Sequence, residues 1–453
     1  MDYRSAFASS GRRLWKSYFE AHDGINSFTG LIDVAKSKLI LAPEISIESW
    51  GEWTPPTNAI IAVASSRLCL QFLASSSLTT SLIRSYMSTC VHVSKNLKFI
   101  MASYVSEPIL ALSANYLMLE TKHLSWESIL SCLLDQVESG MIENGYRGEL
   151  LARVLLCMAW DQCCPKTKQA YESIRPVQVR TFIKSLGGAI LMKAIEEEKL
   201  SQNNIESLMS GFVFFTHFLY VTYSVEEQDL HDCFARSAAI VCKRGETAID
   251  LVIPVLLEDK RMSYISVQVK NYSSTSCEPE NELRKFFYKG TLSFVDSVPY
   301  LVILMQVGAP YISESYCFDR MPVKESTRQA AKTSTESATF LQAEQTSSES
   351  ETSLPAINKL KVSETESKEL SAQELKKSRT GLGALVALNG VSEDTYPFLA
   401  GKTKLTGYLT KLSMCWADPV SYAMNQAESF DTRPAVQSWF FKSHHWNDKK
   451  TWN

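Results

Sequence analysis

Ile249-Asp250-Leu251-Val252-Ile253-Pro254 and, eighteen residues beyond the aspartate, Gln268-Val269-Lys270 are the stretches on which the fold of this chain turns. Each is a short β-rich run. The first puts one acidic residue at the head of an apolar strand. The second puts an amide and an amine two residues apart, and alternation along a strand turns both to the same side. Ser237 to Val241 is a third run upstream. The polar turns Lys243-Arg244-Gly245-Glu246 and Glu258-Asp259-Lys260-Arg261 separate the three. Glu280 to Tyr288 then reads as a helix with Leu283, Phe286 and Phe287 on its buried side. Val298 to Val307 reads as a strand covered on both faces. Strand, strand, strand, helix, strand after a long helix is an α/β order.

Upstream, Ser5 to about Lys166 is patterned mainly for helix. Ser125 starts one helix, with Ile129, Leu130, Leu133, Leu134 and Val137 on its apolar stripe. Gly148 to Cys163 carries Leu150, Leu151, Val154, Leu155, Met158 and Ala159 at helical spacing, and Pro165 forbids its continuation. Further helices are expected at Pro176 to Leu186 and Asn204 to Tyr220. Between Pro322 and Arg379, Ser, Thr, Glu and Lys dominate, and such a segment buries too little apolar surface to offset its ordering entropy. The expected organisation is a mainly helical region over 1–145 and an α/β core with a helical insertion over 146–320. A disordered insertion over 321–380, a candidate last core strand within 381–400 and a helical tail over 401–453 follow.

Composition bounds the function. The chain has 453 residues, long enough for two or three domains, and a net charge of −3, so any nucleic-acid surface must be a local patch. Its 11 cysteines include no Cys-x-x-Cys pair, and no leader is evident over Met1 to Lys16, which points to reduced thiols in an intracellular protein of nucleus or cytoplasm. The apolar runs Ala59 to Ala74 and Phe212 to Tyr223 fall short of the roughly twenty residues of a membrane span.

The polar residues around the strands suggest phosphodiester chemistry. Hydrolysis there requires neutralising charge on the phosphate and producing hydroxide near neutral pH, which a Mg²⁺ or Mn²⁺ ion on oxygen ligands supplies. Asp250 is the charged ligand in this reading, Gln268 an amide-oxygen ligand, and Lys270 the group that orients water and stabilises charge. Because an amide adds no negative charge, a second carboxylate is needed. Glu246 is near in sequence, and Glu149 qualifies if its helix packs over the sheet. The bland alternative is that an Asp at a strand edge and a Lys at a strand end mark solvated turns.

Asp250 with Gln268-Val269-Lys270 resembles the Gln-x-Lys, Mrr-like branch of the PD-(D/E)XK nuclease superfamily. Val105 to Leu110, Arg147 to Arg153, Met158 to Asp161, Phe215 to Phe218 and Ala248 to Pro254 resemble fungal proteins with a restriction-endonuclease-like domain, related to Crinkler and retrotransposon-hot-spot proteins. The resemblance implies a restriction-endonuclease-like core, a mixed sheet flanked by helices. It implies Asp250, Gln268, Lys270 and Glu149 as the site, Mg²⁺ or Mn²⁺ on Asp250, Gln268 and Glu149, and nucleic acid, DNA favoured, as substrate. Longer relatives carry an upstream NTPase module, yet no Gly-x-x-x-x-Gly-Lys-Ser/Thr stretch occurs here. The alternative function is a catalytically silent interaction module that binds protein partners through its helices.

Other conspicuous residues have bland readings. His217 lies among Phe212, Phe214, Phe215 and Phe218 and is expected to be a packed core histidine. Gly187-Gly188 reads as a helix stop, His444-His445 as an exposed tail, and Lys376-Lys377 with Arg379 as a linker end.

Overall fold

Aliphatic strand residues build a meander at the centre of the computed structural model, which describes residues 3–21, 24–41, 53–72, 76–96, 99–141, 147–164, 175–196, 202–246, 249–271, 298–308 and 383–414. Strands β6 (Ala238–Val241), β7 (Leu251–Leu256) and β8 (Met262–Lys270) run antiparallel in succession, and their residues are buried apart from the last of β7 and of β8. β9 (Tyr300–Gln306) pairs parallel to β8, and β10 (Gly383–Asn389) parallel to β9. The candidate last strand is therefore an integral one, although residues 309–382 intervene in the chain.

The opposite edge of β7 is shared. Its first residues pair with β6, which pairs parallel with β5 (His217–Tyr220). Its last residues pair with β4 (Phe212–Val213), itself paired with β3 (Val177–Gln178). The result is a mixed sheet of eight strands flanked by helices, behind a helical N-terminal region. The expected helix at Glu280 to Tyr288, the insertion at 321–380 and the tail beyond Met414 lie outside the described residues.

Two helical expectations are corrected. In place of one helix over Asn204 to Tyr220, α10 (Gln202–Ser210) stops before Gly211, and β4 and β5 follow. The Phe-rich run has β propensity on this sheet, and Phe215 packs against Trp160, Phe182 and Phe218 at 5.3–5.8 Å between ring centroids. The helix expected at Pro176 to Leu186 begins later, at Val179, and the stop read at Gly187-Gly188 falls where α9 (Val179–Glu196) passes from one helical stretch to the next. It is kinked at Gly188, where φ is +65°. A hairpin of β1 (Thr89–Val93) and β2 (Ile100–Ser103) also interrupts the N-terminal helices.

The expected helices at Ser125 and Gly148 are α7 (Trp126–Glu138) and α8 (Arg147–Cys163). Helices α4 (Thr57–Leu68), α6 (Pro108–Glu120), α7 and α8 meet at one buried ion pair. Arg67, 0% exposed, donates to both carboxylate oxygens of Asp161 at 2.7 and 2.9 Å and to the Thr216 carbonyl at 3.0 Å. Asn115 and Trp126 each donate one further bond to Asp161, so each of its oxygens accepts two. A second anchor sits at the start of α6. There Glu107 accepts from Arg12 and Trp15, tying in α2 (Arg13–Ala21) and the residue before it.

Breaking a buried pair leaves an uncompensated charge, so Asp161→Ala is expected to cost about 3–5 kcal/mol in urea unfolding. A loss below about 1 kcal/mol would show the pair to be energetically idle.

Candidate active site at the strand ends

Asp250 immediately precedes β7, and its backbone N–H continues the ladder by donating to the Val267 carbonyl at 2.9 Å. That bond places it opposite Gln268. One carboxylate oxygen, Oδ2, accepts from the Gln268 amide nitrogen at 2.5 Å and from the Val269 N–H at 2.6 Å. Among the described residues, Asp250 Oδ1 and Gln268 Oε1 accept no hydrogen bond. Lys270 ends β8 on the Gln268 side, and its charge favours the ionised form of Asp250.

Glu149 arrives by a close approach of backbone to backbone. A Cβ built on Gly148 would lie 2.8 Å from Asn271 Cβ and 3.4 Å from Val269 Cγ1, so only glycine lets α8 start this near the end of β8. The next residue, Glu149, then stands within electrostatic reach of Asp250. Arg153, one turn on, donates to the carbonyls of Leu68 and Cys69 at the end of α4 and so ties α8 to that helix. Glu246 is not drawn in; Lys243 holds it at 3.1 Å on the turn between β6 and β7. Of the two carboxylates the sequence left open, the fold brings Glu149 to Asp250.

The two acids share a partly buried space. Burial, then the Asp250 charge, push the Glu149 carboxyl up to about 7, against the pull of Arg153 and Arg244. Burial likewise lifts Asp250 to about 6, while the Val269 N–H, Lys270 and the Gln268 amide hold it down. Cys242 lies beside them with its thiol pushed up by burial and by the Asp250, Glu246 and Glu149 charges, so it stays neutral.

Among the described residues no three His, Cys, Asp or Glu side chains gather into a metal-binding group. A divalent ion here would rest on the Asp250 and Glu149 carboxylates and the Gln268 amide oxygen. That all-oxygen set suits Mg²⁺ or Mn²⁺ better than Zn²⁺. The surplus of buried negative charge and the bare Gln268 Oε1 both fit such an ion.

His217 is 1% exposed, with Ser106 Oγ 2.9 Å from Nε2 and Thr216 Oγ1 3.1 Å from Nδ1. Burial, with the Arg236 and Arg67 charges, lowers it to about 3. Arg236 donates to Ser106 Oγ, so the serine–histidine pair lacks both a base and an accessible nucleophile. It is a core network. Sequence reasoning passed over Arg244, Gln306 and Asn389, which lie at or near the same strand ends. Only the sheet register would have singled out the last two.

Residues 57–292, more than half of the chain, match the family described as Domain of unknown function (DUF8736). The chain belongs to that family. No curated protein and no solved structure matches it. The DUF8736 span contains Glu149, Asp250, Gln268 and Lys270, and ends before β9. Among the described residues no helix is long and apolar enough to cross a membrane.

Two outcomes follow. In an unobstructed helix Gly→Ala gains up to about 1 kcal/mol. At Gly148 the sign should reverse to a loss of about 1–3 kcal/mol in chemical denaturation. Both acids also titrate higher in the folded protein than in the unfolded chain. The stability they contribute is therefore full below about pH 4 and lost as pH rises through 6 to 7. Glu149→Gln should match the parent near pH 4 and exceed it at pH 8 by on the order of 2 kcal/mol. Equal stability at both pH values would remove the buried-acid account.

Proposed function

We propose that this protein is a metal-dependent nuclease that hydrolyses phosphodiester bonds, with DNA as the favoured substrate. The observation that carries the reading is the convergence of Asp250, Gln268, Lys270 and Glu149 on one end of the sheet. The element order supports it. An antiparallel meander followed by a parallel strand, with a helix that starts beside the end of β8, agrees with the mixed sheet flanked by helices that a restriction-endonuclease-like core implies.

Asp250, Glu149 and the Gln268 amide oxygen would hold a Mg²⁺ or Mn²⁺ ion. Bound there, the ion supplies a water of lowered pKa and positive charge against the phosphate. Lys270 extends from the strand end on the Gln268 side, where its ammonium donates to a phosphate oxygen and offsets charge gained in the transition state. Glu149, buried beside Asp250, would add the second negative charge that the neutral Gln268 amide does not bring to the ion. Asp250 stays fixed by the Val269 N–H and the Gln268 amide, which hold its carboxylate in place before substrate arrives.

A non-cutting descendant is the second reading. The hydrogen bond between Gln268 and Asp250 favours it, since that pair is satisfied without a cation.

Purified protein with Mg²⁺ or Mn²⁺ is expected to nick plasmid or cut single-stranded DNA, and Lys270→Ala and Asp250→Asn should each lose about 100-fold or more. Mn²⁺ should also raise the melting temperature of the parent and leave that of Asp250→Asn unchanged. Cutting that survives in Lys270→Ala points to another site or a contaminant. Neither cutting nor a Mn²⁺ shift selects the silent descendant.

A further inference from the structure

The polar face at the end of β8 does not stop at Lys270. Parallel register sets Lys270 beside Gln306, the last residue of β9, and Gln306 beside Asn389, the last residue of β10. Residues in register on parallel strands project to the same face, so the three form a row continuing from Gln268. Neighbouring strands are about 4.8 Å apart, which puts Asn389 about 10 Å from Lys270 along the sheet edge.

The row is rigidly built. The Val307 N–H donates to the Lys270 carbonyl and the Gly390 N–H to the Gln306 carbonyl, each at 2.9 Å, so the ladders run to the strand ends. Thr395 Oγ1 donates to the Asn389 carbonyl at 2.7 Å and pins the turn beyond. Yet the two amide side chains of the row are unengaged among the described residues. Asn389 is 8% exposed, and its buried Oδ1 accepts no hydrogen bond among the described residues. Gln306 likewise makes no side-chain hydrogen bond among them. A buried amide oxygen without a donor is costly; Asn115 and Asn271 carry others among the described residues, and that of Asn389 stands in register with Gln306 and Lys270.

The chemistry of the row is graded. Lys270 suits an anion. Asn389 offers an acceptor, which a phosphate, having no N–H, cannot satisfy. A nucleobase bearing an exocyclic amino group can. Amide side chains match adenine best, accepting from its N6 amino group while donating to N7.

We infer that Gln306 and Asn389 form a base-reading subsite that selects an adenine beside the phosphate held at Lys270. The inference rests on the nuclease reading and names the specificity of that site. Neither residue is required for the chemistry, so their loss relaxes preference and leaves cutting intact.

The test uses the full chain with Mn²⁺ and short single-stranded and duplex DNA oligonucleotides carrying A, C, G or T at each position flanking one cut site. The parent should favour A over T at one flanking position by about 10-fold in kcat/KM. Asn389→Leu and Gln306→Leu should each flatten that preference while keeping the rate on the T substrate. Gln306 is only half-buried, so its variant carries the test if the Asn389 variant fails to fold by circular dichroism. A parent that cuts with no base preference, or variants that keep it, overturns the subsite alone. A parent that neither cuts nor binds DNA overturns the nuclease reading, and the subsite with it.

Discussion

The buried pairing of Arg67 with Asp161 is the constraint on which the remaining architecture rests. A guanidinium without water is tolerable only when its donors meet acceptors in good geometry. Here the Asp161 carboxylate and the Thr216 carbonyl provide them. The bond to Thr216 joins α4 to the start of β5, and the bonds to Asp161 join it to α8. Helix α8 is thereby locked relative to the sheet from its last turn, while Gly148 lets its first turn press against β8. The position of Glu149 beside Asp250 is a consequence of both.

The strand ends also gather polar groups. β6, β7, β8 and β9 are buried almost throughout; Ser263 and Ser266 lie within the β8 ladder, while Gln268, Lys270 and Gln306 fall at or near the strand ends. At that rim the surroundings are partly dry, so carboxylates titrate high and any opposite charge is felt strongly. Two acids, an amide and an amine meet there, with Asp250 fixed by main-chain bonds, and this convergence is what supports the proposed phosphodiester chemistry.

The legible parts of the fold share a property. Strands β6 to β9 and helices α7 and α8 carry patterns of one clear period, bounded by Gly, Pro or charged turns. β10 was legible because it interrupts a polar stretch with an apolar run ended by Asn389-Gly390. Phe212 to Tyr220 was misjudged for the opposite reason. Its apolar residues fit no single period, and pairing with β6 and β7 decided the outcome. The β1–β2 hairpin was missed because its short, half-exposed strands carry little alternation.

By itself the sequence determined that an aspartate heads one strand and that an amide and an amine share a face of the next, since alternation along a strand is local geometry. It also determined the α/β order and the core role of His217. Only the tertiary structure decided that Glu149, rather than Glu246, joins Asp250, because that depends on a helix about a hundred residues upstream reaching β8. The alignment of Lys270, Gln306 and Asn389 was likewise beyond the sequence. Register between parallel strands joined by long connections is set by packing on both faces of the sheet, and no local pattern records it.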